Sequence, residues 1–322
     1  MRAILIINIG RLLNVRKLDH PLRGTEMAQL PSIDQAWLFS CNQTIKAFGN
    51  MSELPAHLTE EADEIFDAAG GYVLPAWCDS HTHLVYEGSR EMEWINKIKG
   101  MSYADIAAKG GGILYSAKSV REATEDALYE SALQRIREIS LLGTGAVEIK
   151  SGYGLSYDAE LKMLRVIKRL QQESGLLIKS TFLGAHALPP DYKENRSGYL
   201  QLLTEQLLPV ISREGLANYI DAFCEQGFFT PQEVAQICEA GRKYGLRAKI
   251  HSNQFSSIGG VQMAVKQEAL SVDHLETMDD EAISALANSP LIGTMLPSAA
   301  FFLRIPYPPA RKMLKAGAAL AL

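Results

Sequence analysis

The chain has 322 residues, enough for one large core or two modest ones, and 47% of them are hydrophobic against 21% charged. A formal net charge of -5 and a mean hydropathy of -0.04 exclude the basic footprint of a nucleic-acid binder and the polybasic patch of a protein held on an anionic membrane. Cys41, Cys78, Cys224 and Cys238 show no Cys-x-x-Cys spacing, so they are expected as buried thiols in a reducing, cytoplasmic compartment rather than as a disulfide frame or zinc knuckle.

Residues 1–9 are apolar, but the run is short, lacks a cleavage region and is followed by Arg11, which marks a strand rather than a signal peptide. No uninterrupted apolar run approaches the ~18 residues of a membrane span. Strand-like runs follow at 3–9, 35–41 and 44–48, with Asn42-Gln43 as a hairpin turn between the last two. The polar stretch 16–33, with Pro21, Gly24 and Pro31, reads as a loop insertion. Residues 1–70 are therefore expected to form a small β domain, left incomplete without further C-terminal strands.

From Gly71 onward the pattern becomes strand, then helix, repeated. The apolar run Tyr72 to Cys78 reads as one buried strand leading into Asp79-Ser80-His81-Thr82-His83. The Gly110-Gly111-Gly112 run follows no strand and precedes no helix directly, and a mobile loop near the site is the expectation. Ser119-x-x-Glu122 reads as a capping box before a helical face of Leu128, Ala132, Ile136 and Ile139 that stops at Gly143. A strand at 146–149 is followed by a helix carrying Leu161, Leu164, Ile167 and Leu170, and strands are expected at 177–183 and 219–224. Thr230-Pro231-Gln232-Glu233 combines an N-cap, a first-turn proline and the box glutamate. Further strands are expected at 247–250, 269–273, 291–296 and 316–322. Strands alternating with helices build a parallel sheet, and the count from residue 73 points to an α/β fold: a (β/α)8 TIM-type barrel over 71–322, its last strand cut short. The competitor, an open doubly wound sheet, calls for a Gly-rich phosphate loop after the first strand, where this sequence has His-x-His.

Of the seven histidines, His20 and His57 fall in the N-terminal region, whereas His81, His83, His186, His251 and His274 lie at or just beyond predicted strand ends. Barrel chemistry gathers at those ends, so the pattern points to a metal-centred site. Side chains at i and i+2 of a strand share a face, which sets His81 and His83 side by side as a chelate, and His251 is the expected third ligand. His274 is expected to orient the attacking water, with a fourth ligand as the alternative. Glu225 could bridge to a second metal or serve as an ordinary paired acid, and Lys150 is expected to be structural. Arg90 is able to clamp a substrate carboxylate bidentately or to form a surface salt bridge. Tyr153, in Ser151-Gly152-Tyr153-Gly154, offers a ring and a hydroxyl at the same rim, and Gln254 an amide.

These residues resemble the amidohydrolase superfamily and, within it, the imidazolonepropionases of histidine breakdown. The resemblance rests on Asp79-Ser80-His81-Thr82-His83-Leu84-Val85, Glu148-Ile149-Lys150-Ser151-Gly152-Tyr153-Gly154, Phe182-Leu183-Gly184-Ala185-His186 and Asp273-His274-Leu275-Glu276. It implies hydrolytic opening of 4-imidazolone-5-propanoate to N-formimidoyl-L-glutamate with one zinc or iron ion per chain. The implied ligands are His81, His83 and His251, and the implied substrate contacts are Arg90, which meets the propanoate, Tyr153 and His186. His186 and His274 are the implied catalytic residues. Gln254 matches a position that is glutamate in some members, and a neutral amide cannot serve as a base. A cytoplasmic homodimer is implied as well. The family places an aspartate after the eighth strand as a further ligand and proton shuttle, and residues 308–322 hold no acid. The expectation is a fragment of a longer enzyme that binds metal weakly and turns over slowly. Two other readings compete: a sister amidohydrolase (an aromatic-base deaminase or a cyclic-imide hydrolase) with no need of Arg90, and a non-catalytic truncated barrel.

Overall fold

A computed structural model describes residues 2–17, 20–101, 105 and 111–322. The chain divides into two compact units, Met1–Ala76 and Trp77–Leu322.

The first unit is a five-stranded sheet. β1 (Ala3–Leu13) pairs antiparallel with β2 (Ser32–Cys41), and β2 with β3 (Thr44–Asn50). The β2–β3 turn is Asn42-Gln43, both at positive φ (52° and 62°), as a two-residue type I′ hairpin requires. β4 (Glu64–Asp67) and β5 (Tyr72–Val73) both pair parallel with β1. Ala3 and Leu5 on β1, and Trp37 and Phe39 on β2, are buried at spacing two, which gives this small sheet one apolar face. The stretch 16–33 is not wholly loop, because a short 3-10 turn spans Gly24–Ala28.

The run 72–78 is two strands rather than one. Tyr72 and Val73 pair with Arg11 and Leu12 in the small sheet, and a new strand, β6 (Trp77–Thr82), begins four residues later. Pro75 stands between them; it has no N–H for a ladder, so the pairing breaks there.

The second unit carries eight parallel strands in sequential order: β6, β7 (Thr144–Lys150), β8 (Leu177–Ala185), β9 (Tyr219–Cys224), β10 (Arg247–Ser252), β11 (Ser271–His274), β12 (Ile292–Met295) and β13 (Ala319–Ala321). This is the barrel order, and β13 is only three residues long. The helix Tyr157–Glu173 buries Leu161, Leu164, Ile167 and Leu170 against it, as their spacing predicts. Thr230 caps the helix Pro231–Arg242 with the full capping box. Ser119 does not cap: it lies inside a helix, Ile113–Glu122, and the cap of Glu125–Leu141 is Thr124, whose hydroxyl accepts from the Ala127 amide at 3.1 Å. Thr124 wins because Glu125 and Asp126 follow it and suit the positive end of the helix dipole. Gly112, at φ 71°, directly precedes the helix 113–122, so the glycine run does lead into a helix; Gly110 lies outside the described residues. Between β8 and β9 the chain inserts helical segments over 196–214 that the sequence pattern left unassigned. Among the described residues no helix is long and apolar enough to cross a membrane.

Candidate metal centre and its rim

Five imidazoles meet at the C-terminal ends of the barrel strands. His81 lies in β6 and His83 one residue past it, His186 directly follows β8, His251 lies in β10, and His274 ends β11. Ring centroids are 4.4 Å apart for His81–His251, 5.3 Å for His81–His274 and 5.0 Å for the stacked pair His83–His186. Nitrogens of His81, His251 and His274 lie within 4.8 Å of one another, as do those of His83, His186 and His251. The two triads share His251.

Buried carboxylates fix two of the rings. Asp273 Oδ2 sits 2.7 Å from His81 Nδ1, and Asp221 Oδ2 sits 2.7 Å from His251 Nδ1. Asp221 Oδ1 also accepts from the His251 backbone amide at 3.0 Å. A carboxylate on one imidazole nitrogen makes that nitrogen the donor and leaves the other with its lone pair, the usual second layer of a metal site. Accordingly, His81 Nε2 is buried without a partner among the described residues, and His251 Nε2 lies 3.4 Å from His83 Nε2. Both observations fit a bound cation, which the histidine groups are able to hold.

Electrostatics keep these ligands neutral. Burial, reinforced by the charge on Lys150, holds His81 and His251 well below the usual histidine range; burial and His186 do the same for His83. Burial, against the opposing pull of the Gly152 carbonyl and Asp221, pulls His186 down to about 4. A neutral imidazole is the form that ligates metal.

Beneath the imidazoles lies a buried ionic network. Lys150 Nζ is 2.7 Å from Glu148 Oε1, 2.9 Å from Asp221 Oδ2 and 3.5 Å from Asp273 Oδ2, with no side-chain exposure. Lys249 Nζ pairs with Glu148 Oε2 at 2.7 Å and donates to the Ser80 carbonyl at 2.9 Å. Burial opposes the charge on Lys150, but Asp221, Glu148 and Asp273 together outweigh it and raise its pKa. Burial likewise pushes against the Asp273 carboxylate, and Lys249 and Lys150 overcome it, leaving it below the usual range. Sequence reasoning placed Lys150 as structural but missed Asp221, Asp273, Glu148 and Lys249. The signal was available: charged residues set in strand runs that are otherwise apolar must find buried partners.

The rim carries the remaining residues. Arg90 lines a cavity of about 200 Å³ with His83, Tyr115 and Tyr153, and its Nε donates to Glu93 at 3.1 Å. Glu93, itself buried, accepts the Gly112 amide at 2.7 Å. Tyr153 lies 5.2 Å from the His83 ring and 5.4 Å from His186, whose Nδ1 is 3.1 Å from the Gly152 carbonyl. The loop 151–155 hangs from one fully buried carboxylate, Glu160, which accepts from the amides of Gly152, Gly154 and Leu155 at 3.2, 2.8 and 2.9 Å. Gln254 lies outside the lining of the Arg90 cavity, and its backbone amide donates to Glu225. Glu225 spends both oxygens on the loop after β10, accepting from the amides of Gln254 and Phe255 and from the Ser256 hydroxyl. That occupation argues against a bridging role.

Comparison with known proteins bears on the family and the fold. No protein-family model matches the chain. It is 52% identical over 319 residues to the imidazolonepropionase of Flavobacterium johnsoniae, covering 99% of the chain and 77% of that relative. For the imidazolonepropionase of Geobacillus kaustophilus the identity is 42% over 304 residues, covering 94% and 72%. The chain belongs to the imidazolonepropionase family. It is a hydrolase of histidine degradation that acts on a carbon–nitrogen bond in a cyclic amide. Among solved structures, a guanine deaminase from C. acetobutylicum superposes with a TM-score of 0.66 at 15% identity, covering 99% of the chain and 73% of that protein. A triazine hydrolase variant superposes at 0.71 and 15%, covering 99% and 71%. At such identities these likenesses show the barrel fold alone.

Proposed function

We propose that this chain opens 4-imidazolone-5-propanoate to N-formimidoyl-L-glutamate at a single-ion centre held by His81, His83 and His251, with zinc or iron as the ion. The observation that carries the reading is the pair of Nδ1-anchored imidazoles, His81 and His251, with the orphaned His81 Nε2 and the His251 Nε2 turned toward His83. When bound, such an ion polarises a water molecule and lowers its pKa toward neutrality.

The chain's own groups supply the rest. His251 has one nitrogen to give, because Asp221 holds the other, so the two overlapping triads cannot each keep an ion. His274 stands across the cluster from His83 and takes the proton that the attacking water loses. Water adds to the ring carbonyl carbon, the bond from that carbon to the ring nitrogen breaks, and the proton passes to the departing nitrogen. Arg90 meets the propanoate from the cavity it shares with His83 and Tyr153. His186 stacks parallel to His83, and the Gly152 carbonyl leaves its Nε2 for the substrate ring. Gln254 contributes an amide but no base.

The test is calorimetry of the zinc-loaded protein with imidazole-4-propanoate, which carries the ring and the carboxylate without the hydrolysable amide. One zinc per chain and at least tenfold weaker binding by Arg90→Met are expected, since a hydrogen bond to a charged partner is worth ~1.5–3 kcal/mol. Unchanged affinity in Arg90→Met would favour a deaminase-type substrate with no carboxylate, and absence of stoichiometric metal would end the proposal.

A further inference from the structure

Three of the five clustered histidines have a carboxylate at Nδ1, and the third pair is incomplete. Among the described residues His274 Nδ1 is buried with no hydrogen-bond partner, and so are both oxygens of Glu276, whose side chain is 1% exposed. The two groups face each other at 3.7 Å, too far for a hydrogen bond and close enough to form one by a small movement of either side chain. A buried carboxylate left without a donor costs several kcal/mol by order of magnitude, so this arrangement demands that a proton sit between them.

The backbone brings the pair together at a cost. His274 and Leu275 both take positive φ, 91° and 69°, a conformation that non-glycine residues rarely adopt. Such strain persists only where the surroundings enforce it. Here the Leu275 amide donates to the Ser252 carbonyl at 3.3 Å and the Thr277 amide to the Asn253 carbonyl at 2.7 Å. Those bonds pin the turn to the end of β10 and carry Glu276 beneath the ring of His274. An unrestrained strand would send both residues to the same face but about two rises apart, roughly 6.6 Å.

We propose that Glu276 is the positioning residue of His274: its carboxylate takes the Nδ1–H of that ring, fixes the tautomer and leaves the Nε2 lone pair to accept a proton. This repeats, for the proton acceptor, what Asp273 does for His81 and Asp221 for His251. The tautomer claim stands on geometry alone; its kinetic consequence rests on the hydrolase reading above.

Histidine side-chain nitrogen–proton correlation spectra of the ¹⁵N-labelled, metal-free protein test it, with the His274 signal identified as the one lost in His274→Gln. The expected wild-type result is the Nδ1–H tautomer. Glu276→Leu, which removes the acceptor and the buried charge together, is expected to move His274 toward the Nε2–H form, and Glu276→Gln, whose amide oxygen still accepts, to keep the wild-type pattern. A wild-type His274 in the Nε2–H tautomer, or a signal unmoved in Glu276→Leu, overturns the assignment. With zinc and 4-imidazolone-5-propanoate, Glu276→Leu is expected to lose ten- to a hundredfold in kcat, roughly the effect of deleting such an outer partner, at a KM within about twofold of wild type. A wild-type protein that holds no zinc sinks the hydrolase reading and leaves the spectral result standing.

Discussion

Replacing Lys150 by Met removes one ammonium from among three carboxylates while keeping most of the side-chain volume. Glu148 retains Lys249 as a partner and Asp273 keeps the Lys249 charge nearby, but Asp221 is left with only neutral donors around it. Breaking a buried ion pair from one side costs about 3–5 kcal/mol, and the whole fold is worth roughly 5–15 kcal/mol. Lys150→Met is therefore expected to lose about a fifth or more of the stability of the metal-free protein, read as the urea midpoint at constant slope. The same substitution frees the two carboxylates that hold His81 and His251, so zinc affinity by chelator competition is expected to fall ten- to a hundredfold, roughly the cost of losing an outer partner. A variant that unfolds within about 1 kcal/mol of wild type and binds zinc equally well would refute the idea that this lysine ties the ligand set together.

Two further outcomes follow from other parts of the barrel unit. A Cβ at Gly154 would lie 2.4 Å from the Glu160 amide nitrogen and 2.6 Å from the Ala159 carbonyl carbon, backbone that cannot yield. Gly154→Ala is expected to cost about 1–3 kcal/mol in thermal unfolding and to weaken imidazole-4-propanoate binding through Tyr153, with zinc content unchanged. Lys97 is buried with its Nζ over the Phe302 ring and no hydrogen-bond partner among the described residues, and burial lowers it from 10.5 to about 8. Between those values the unfolded chain holds the proton that the folded chain has released, so wild-type stability should rise as pH climbs from about 8 toward 10.5 and Lys97→Met should lose that slope, as urea titrations at several pH values will show.

The strand order and the five histidines were readable because each depends on local pattern. Apolar runs of four to eight residues mark the parallel strands, and histidines recur where those runs end. The boundary at 72–78 was misread because Pro75 interrupts pairing without interrupting hydrophobicity. Ser119 was misplaced as a cap because two hydroxyls, Ser119 and Thr124, precede the helix that starts at Glu125 and only the acidic residues directly after Thr124 separate them. The carboxylates that hold the histidines escaped for a different reason. Asp221 and His251 are far apart in sequence and meet only through the neighbouring strands β9 and β10, and Asp273 reaches across the barrel from β11 to His81 in β6. No linear spacing encodes a contact of that kind. Glu276 lay in plain view beside His274, yet two adjacent left-handed residues are needed to bring it under the ring.

The suspension of 151–155 from Glu160 bears on how the mouth of the pocket moves. Surface loops ordinarily exchange their amide protons at rates set by local fraying. Here three amides of a loop beside the histidine cluster end on a carboxylate rooted in the first turn of the helix Tyr157–Glu173, whose apolar face is packed against the barrel. Releasing Gly152, Gly154 and Leu155 thus means stranding a buried carboxylate without its donors, which ties the ledge that presents Tyr153 to the interior of the protein rather than to its surface.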